Sequence, residues 1–136
     1  MGSITRNKES DFQFTNPVLT GLEYVITPDF DDNDNKTVQI GTNISVEVHK
    51  TGERTAVVKL IVEIGEKSKD MPFWLKASEK ANFRWNPEID DDTSDVLLRQ
   101  NAPSLLLGYL RVIVSQVTAV SVYGAYNIPF INFTQR

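Results

Sequence analysis

The run from Ala102 to Tyr123 constrains this chain more than any other segment, because Arg111 is its only charged side chain. Its length and flanks predict a helix. Asn101 stands where an N-cap belongs, Pro103 falls in the first turn where a missing N–H costs nothing, and Gly124 offers a C-terminal stop. At 100° per residue, Ser104, Gly108, Arg111, Ser115 and Thr118 share one stripe about 80° wide. Outside that stripe only Gln116 and Ser121 are polar. A surface helix is apolar over one face, whereas an apolar circumference calls for burial on most sides.

A membrane span needs roughly 20 such residues. Arg111 and Gln116 near the middle, and soluble-looking strands upstream, argue against one. The reading adopted is a helix covered by its own sheet on one side and by another subunit elsewhere. A single sheet covers only one side, so a homo-oligomer without membrane insertion is expected.

Upstream, alternation sets the sheet. Val38, Ile40, Ile44, Val46 and Val48 fall on even positions, against Gln39, Asn43, Ser45, Glu47 and His49 on odd ones. After a turn at Thr51-Gly52, Ala56, Val58, Leu60, Val62 and Ile64 repeat the rule. Period-two alternation means strands with one apolar and one wetter face, and the short connection makes an antiparallel hairpin. An earlier strand carries Leu22, Tyr24 and Ile26, with Phe12 and Phe14 pairing before Asn16-Pro17 interrupts it. A fourth strand runs from about Met71 to Trp85. It sets Phe73, Leu75, Ala77, Ala81, Phe83 and Trp85 on one face and Trp74 on the other, polar one. Residues 28–35 and 88–95 read as acidic loops. The expected organisation is a flexible arm over residues 1–11 and a single domain over 12–136.

Composition excludes several functions. The net charge of −4 and the lack of an Arg/Lys stripe argue against nucleic acid. With no cysteine there is no disulfide, thiolate catalysis or Cys-based zinc site. The polar N-terminus lacks a signal-peptide core, so a cytoplasmic protein is expected, and the sequons at Asn35, Asn43 and Asn132 read as chance. His49, the only histidine, has no oriented partner in view. The aspartates from Asp29 and from Asp90 fail as calcium loops. Their sixth positions are Asp34 and Asp95 instead of Gly, and their twelfth are Ile40 and Asn101 instead of Glu. Neither enzyme, cofactor nor metal site is expected. The aromatics exceed what one small core needs, and collectively they could line an apolar groove for other polypeptides.

The run Asn101-Ala102-Pro103-Ser104-Leu105-Leu106-Leu107-Gly108-Tyr109-Leu110-Arg111 resembles the start of the long helix in SecB-like protein-export chaperones. Pro103, Tyr109 and Arg111 match its early Pro and its Tyr-x-Arg. Asn127 and Asn132-Phe133 match the family's Leu-Asn-Leu and Val-Asn-Phe segments, and the strand order upstream fits by pattern. The resemblance covers roughly residues 12–134. It implies an α+β fold, a four-stranded antiparallel Greek-key sheet packed on a long C-terminal helix, assembled as a dimer of dimers. It also implies ATP-independent binding of nonnative polypeptides. Family members continue into a second helix and an acidic tail that docks on the SecA motor, and here the chain ends at Arg136. A shortened member is therefore expected, with a chaperone dedicated to a toxin–antitoxin pair, or a structural protein that uses the fold to oligomerise, as alternatives. The residues expected to contact clients are Phe30, Trp74, Tyr126 and Phe130. Arg111, Ser115 and Thr118 are expected to face a partner helix.

Overall fold

The computed structural model describes residues 11–30 and 37–134; most of the N-terminal arm and the acidic-loop positions 31–36 lie outside the described residues. Five strands form one antiparallel sheet: β1 (Phe12–Phe14), β2 (Val18–Ile26), β3 (Thr42–Gly52), β4 (Thr55–Gly65) and β5 (Phe73–Trp85). β1 and β2 are two pieces of one interrupted edge strand. Both pair with β5, with Phe12 opposite Trp85 and Val18 opposite Lys80. The break falls at Asn16-Pro17, as expected. The order is β1/β2, β5, β4, β3, and the connection through residues 27–41 carries the chain from one sheet edge to the other. That is the Greek-key path.

Alternation decides which face is covered. Val58, Leu60, Val62 and Ile64 of β4 are fully buried, and Phe73, Leu75, Ala77, Ala81, Phe83 and Trp85 of β5 join them. One polar residue breaks the pattern: Glu79 lies on this same face and is only 1% exposed. At the β4–β5 turn Gly65 has φ +72°, and a Cβ there would sit 2.3 Å from the Phe73 carbonyl oxygen. Backbone on both sides of the clash leaves only glycine.

The helix begins eleven residues earlier than expected, at Asp91 instead of Ala102. α1 (Asp91–Val96) is capped by Asp90, whose Oδ1 accepts from the Thr93 N–H at 2.7 Å. These bonds stabilise the ionised carboxylate and hold the Asp90 pKa below its ordinary value. The acidic segment read as a loop therefore supplies the first turn, where Asp91 and Asp92 complement the helix dipole. A π-helical turn, Leu97–Asn101, follows, and α2 (Ala102–Ala119) completes the helix. Asn101 makes no side-chain cap bond. Pro103 lies inside the helix, where it cannot donate and its ring crowds the preceding turn. The wider turn meets that demand, with the Ala102 N–H reaching back five residues to the Leu97 carbonyl.

α2 ends at Ala119, short of the expected Tyr123. The chain then tightens through Ser121 N–H to Thr118 O at 3.0 Å and Gly124 N–H to Ser121 O at 3.0 Å. Leu106, Leu110 and Val114 of α2 are buried on the sheet's core face. Val112, on the opposite side of the helix, is 57% exposed. Replacing Leu110 by Ala is expected to cost about 2–5 kcal/mol. Val112→Ala should stay within about 0.5 kcal/mol when protein is dilute enough to be monomeric. Urea unfolding of the two variants checks the contrast.

Candidate functional site

α2 has three longitudinal zones. Its sheet-facing side is buried. Its outward side, including Tyr109, Val112, Gln116 and Val120, is exposed and uncharged. The polar stripe lies between them as a seam, and the chain's own C-terminal segment, residues 125–134, occupies it.

The seam is held by hydrogen bonds. Thr118 Oγ1 donates to the Val114 carbonyl and accepts from the Tyr126 N–H, each at 2.7 Å. Arg111 Nε donates to the Ile128 carbonyl at 2.8 Å, and its guanidinium lies 4.4 Å from the Phe130 ring centroid. Ile128 is fully buried as a result. Thr118 is buried too, so the expectation that it faces a partner helix is corrected. Its hydroxyl is consumed in holding the same chain's return. Arg111 and Ser115 remain half-exposed on the seam's rim, around a hollow that Gly108, Val112, Gln116 and Asn127 complete.

The four expected client-contact residues are not brought together. Tyr126 is half-buried, its ring edge-on to Phe73 at 5.7 Å and its hydroxyl 3.4 Å from that of Thr42. Phe130 is 88% exposed. Phe30 is half-buried beside Asp29, which has φ 54°. Trp74 is on the sheet's outer face as expected but is buried there. Its indole N–H donates to Glu63 Oε2 at 2.6 Å, and the Lys67 ammonium sits 4.2 Å from the ring centroid. Glu63 and Lys67 thus shield the ring, which removes Trp74 from the accessible surface.

The residues best placed to make a groove come from the β1/β2 edge. Phe14 and Leu19 point to the core side but are 37% and 40% exposed. Tyr109 of α2 meets Phe14 edge-on with centroids 6.4 Å apart. Val112 lies one turn further along the helix. The sequence carried a signal for them, since on the helical wheel Tyr109 flanks the buried Leu106, Leu110 and Val114 and Val112 lies opposite them. Exposure of Phe14 and Leu19 depends on where the helix crosses the sheet, which periodicity does not specify.

Glu79 underlies this edge. It pairs in register with Leu19 on β2 and Leu60 on β4, and its Oε1 is enclosed with no hydrogen-bond partner. Removal from water pushes its pKa up to about 7. An odd position in an otherwise apolar odd series was the available signal for it. His49 is exposed on β3 opposite Val57. Among the described residues no His/Asp/Glu cluster is placed to hold a metal.

A single Greek-key antiparallel sheet backed by one long C-terminal helix is an α+β architecture of the SecB-like kind. The chain belongs to the SecB family, matching preprotein translocase subunit SecB over residues 21–135. Among solved structures it is similar to a SecB-like chaperone of Mycobacterium tuberculosis in complex with a ChAD peptide from the HigA1 antitoxin. The TM-score is 0.66 at 10% identity, over 90% of this chain and 88% of that one. A protein of unknown function from Streptococcus agalactiae gives a TM-score of 0.49 at 11% identity, over 88% of this chain and 97% of that one. No curated protein matches.

Thr118→Val tests the seam. Losing the hydroxyl leaves the Tyr126 N–H without its acceptor, and a loss of about 1–3 kcal/mol is expected. Thermal unfolding measures it, with faster proteolysis within residues 125–134 as the local signature.

Proposed function

We propose that this chain is an ATP-independent holdase that captures nonnative polypeptides along the β1/β2 edge and the adjoining side of α2. The observation that carries this reading is the uncharged, exposed band of Phe14, Leu19 and Tyr109 beside an open sheet edge. An extended client can add its backbone to such an edge while its apolar side chains enter the groove. Phe130 and Tyr126 extend the apolar surface at the C-terminal seam, and Phe30 lies on the crossover connection. Affinity from apolar area and backbone pairing is tolerant of sequence, which suits a protein that binds unfolded chains.

The centre of the outward α2 face is the proposed homo-oligomer contact, with Arg111 and Ser115 on its rim and a dimer of dimers as the assembly. The protein is read as cytoplasmic, without cofactor or enzymatic activity. Support for this comes from membership of the SecB family. A second reading is a chaperone dedicated to one antitoxin, favoured by the antitoxin peptide bound to the structurally similar mycobacterial protein. Delivery to an export motor is the wider role that family membership raises.

Light scattering of a chemically denatured client on dilution tests the holdase reading. Wild type should suppress aggregation without nucleotide at near-stoichiometric ratio. Leu19→Asp combined with Tyr109→Asp should lose most of that suppression while circular dichroism stays unchanged. No suppression by wild type at several-fold excess would sink the reading. A variant as active as wild type would move the site elsewhere.

A further inference from the structure

β5 carries aromatic residues at both ends of its core face, Phe73 near one and Phe83 with Trp85 at the other. Between them stand Ala77, Glu79 and Ala81. The small alanines leave room for a longer side chain in the middle of the helix–sheet layer, and that side chain is a carboxylic acid. It is 1% exposed, and Oε1 has no hydrogen-bond partner. A buried, unsatisfied carboxyl costs stability, far more as an anion than as the neutral acid.

The surroundings offer the anion no relief. β4 presents Val58, Leu60 and Val62, and β2 presents Leu19 and Leu22. The buried side of α2 presents Leu106, Leu110 and Val114. The titratable groups on that side of the sheet are four phenols and one ion pair: Tyr24 bonded to Ser121 Oγ at 3.0 Å, Tyr109 against Phe14, Tyr123 and Tyr126 against Phe73, and Lys50 with Asp95, 3.1 Å apart at the far end of β3 and already paired with each other. Arg111, the only charge on α2, is committed to Ile128 and Phe130. Lys76 and Lys80 alternate onto the opposite face of β5.

The neighbouring edge is the weak point of the sheet. The β2–β5 register shifts between Leu19 and Gly21, a bulge directly beside Glu79, and Leu19 is 40% exposed. An ionised Glu79 reaches water by the shortest route if this edge parts from the layer.

We propose that Glu79 is a proton-controlled latch: neutral, it lets β2 and α2 close over the sheet, and ionised, it loosens the β2 edge and opens the apolar groove. The proposal regulates the groove assigned above and rests on that assignment only for its consequence in client capture. The sign follows from linkage. The carboxyl binds its proton more tightly in the closed form than when solvated, so closure is strongest below about pH 4.5. It weakens as pH rises and levels off above about pH 7.

Hydrogen exchange of the full-length protein at pH 5 and pH 7.5, corrected for intrinsic rates, reads the latch without any client. In wild type the opening equilibrium for amides of residues 18–22 should rise by at least roughly tenfold between the two pH values. In Glu79→Gln, which keeps shape and stays neutral, that rise should vanish. Glu79→Leu, neutral and apolar, should match it and serves if the amide does not fold. Equal pH dependence in wild type and a neutral variant would overturn the proposal, as would an Glu79 carboxyl titrating below pH 5 by NMR. Client capture measured on the same samples should be greater at pH 7.5 than at pH 5 in wild type only. Absence of capture at every pH, with the exchange difference intact, would count against the holdase reading and leave the latch standing.

Discussion

One sheet can cover only one side of one helix, and most of this molecule follows from that limit. The core face of β4 and β5 absorbs Leu106, Leu110 and Val114, and there its capacity ends. At roughly 25 cal/mol per Å² of apolar surface, burying that side drives the layer together. The same composition leaves Tyr109, Val112 and Val120 turned toward water. The proposed contacts, with a client and with a second copy, both draw on this surplus of apolar surface.

The polar stripe resolves a tension in that arrangement. A helix apolar on both sides has no intrinsic reason to choose which side meets the sheet. The seam residues supply the choice, because Arg111 and Thr118 must reach backbone groups of the returning segment. Their bonds pin Tyr126 and Ile128 against the margin of the core. The helix is thereby fixed in rotation by its few polar side chains, while its apolar ones supply the cohesion.

Much of this was legible in the residues. Strict alternation in β3, β4 and β5 defined the strands, their apolar face and the hairpin, and the break at Asn16-Pro17 was visible as a proline in a strand. The helix was legible in kind but misplaced at both ends. Asp90 to Asp95 read as a solvated acidic loop, since charge density outweighed the Asp-x-x-Thr capping signal. Pro103 read as a first-turn proline, because sequence does not reveal a π turn that admits one deeper inside. At the other end, Gly124 is a glycine stop in sequence, but the chain leaves the helix earlier, where the Thr118 side chain accepts from the Tyr126 N–H. Site residues were harder. Trp74 on a polar face suggested exposure, but the shielding by Glu63 and Lys67 depends on the register of β4 and β5 and on the turn between them. Glu79 is the one unlike residue of an apolar series, and its burial depends on α2 lying over it, which alternation alone does not specify.

The π turn at Leu97–Asn101 has an effect beyond tolerating Pro103. One additional residue in a helical turn delays every later side chain by about 100° around the axis. α1 and α2 are continuous in space yet out of phase, so the turn works as a rotational offset built into the helix. Asp91 and Asp92, ahead of it, lie in water at the sheet's end. Beyond it the offset brings Leu106, Leu110 and Val114 onto the sheet and directs Tyr109 and Val112 outward. The π turn thus sets the rotation of α2 relative to α1, and the seam bonds of Arg111 and Thr118 hold the arc so presented against the sheet.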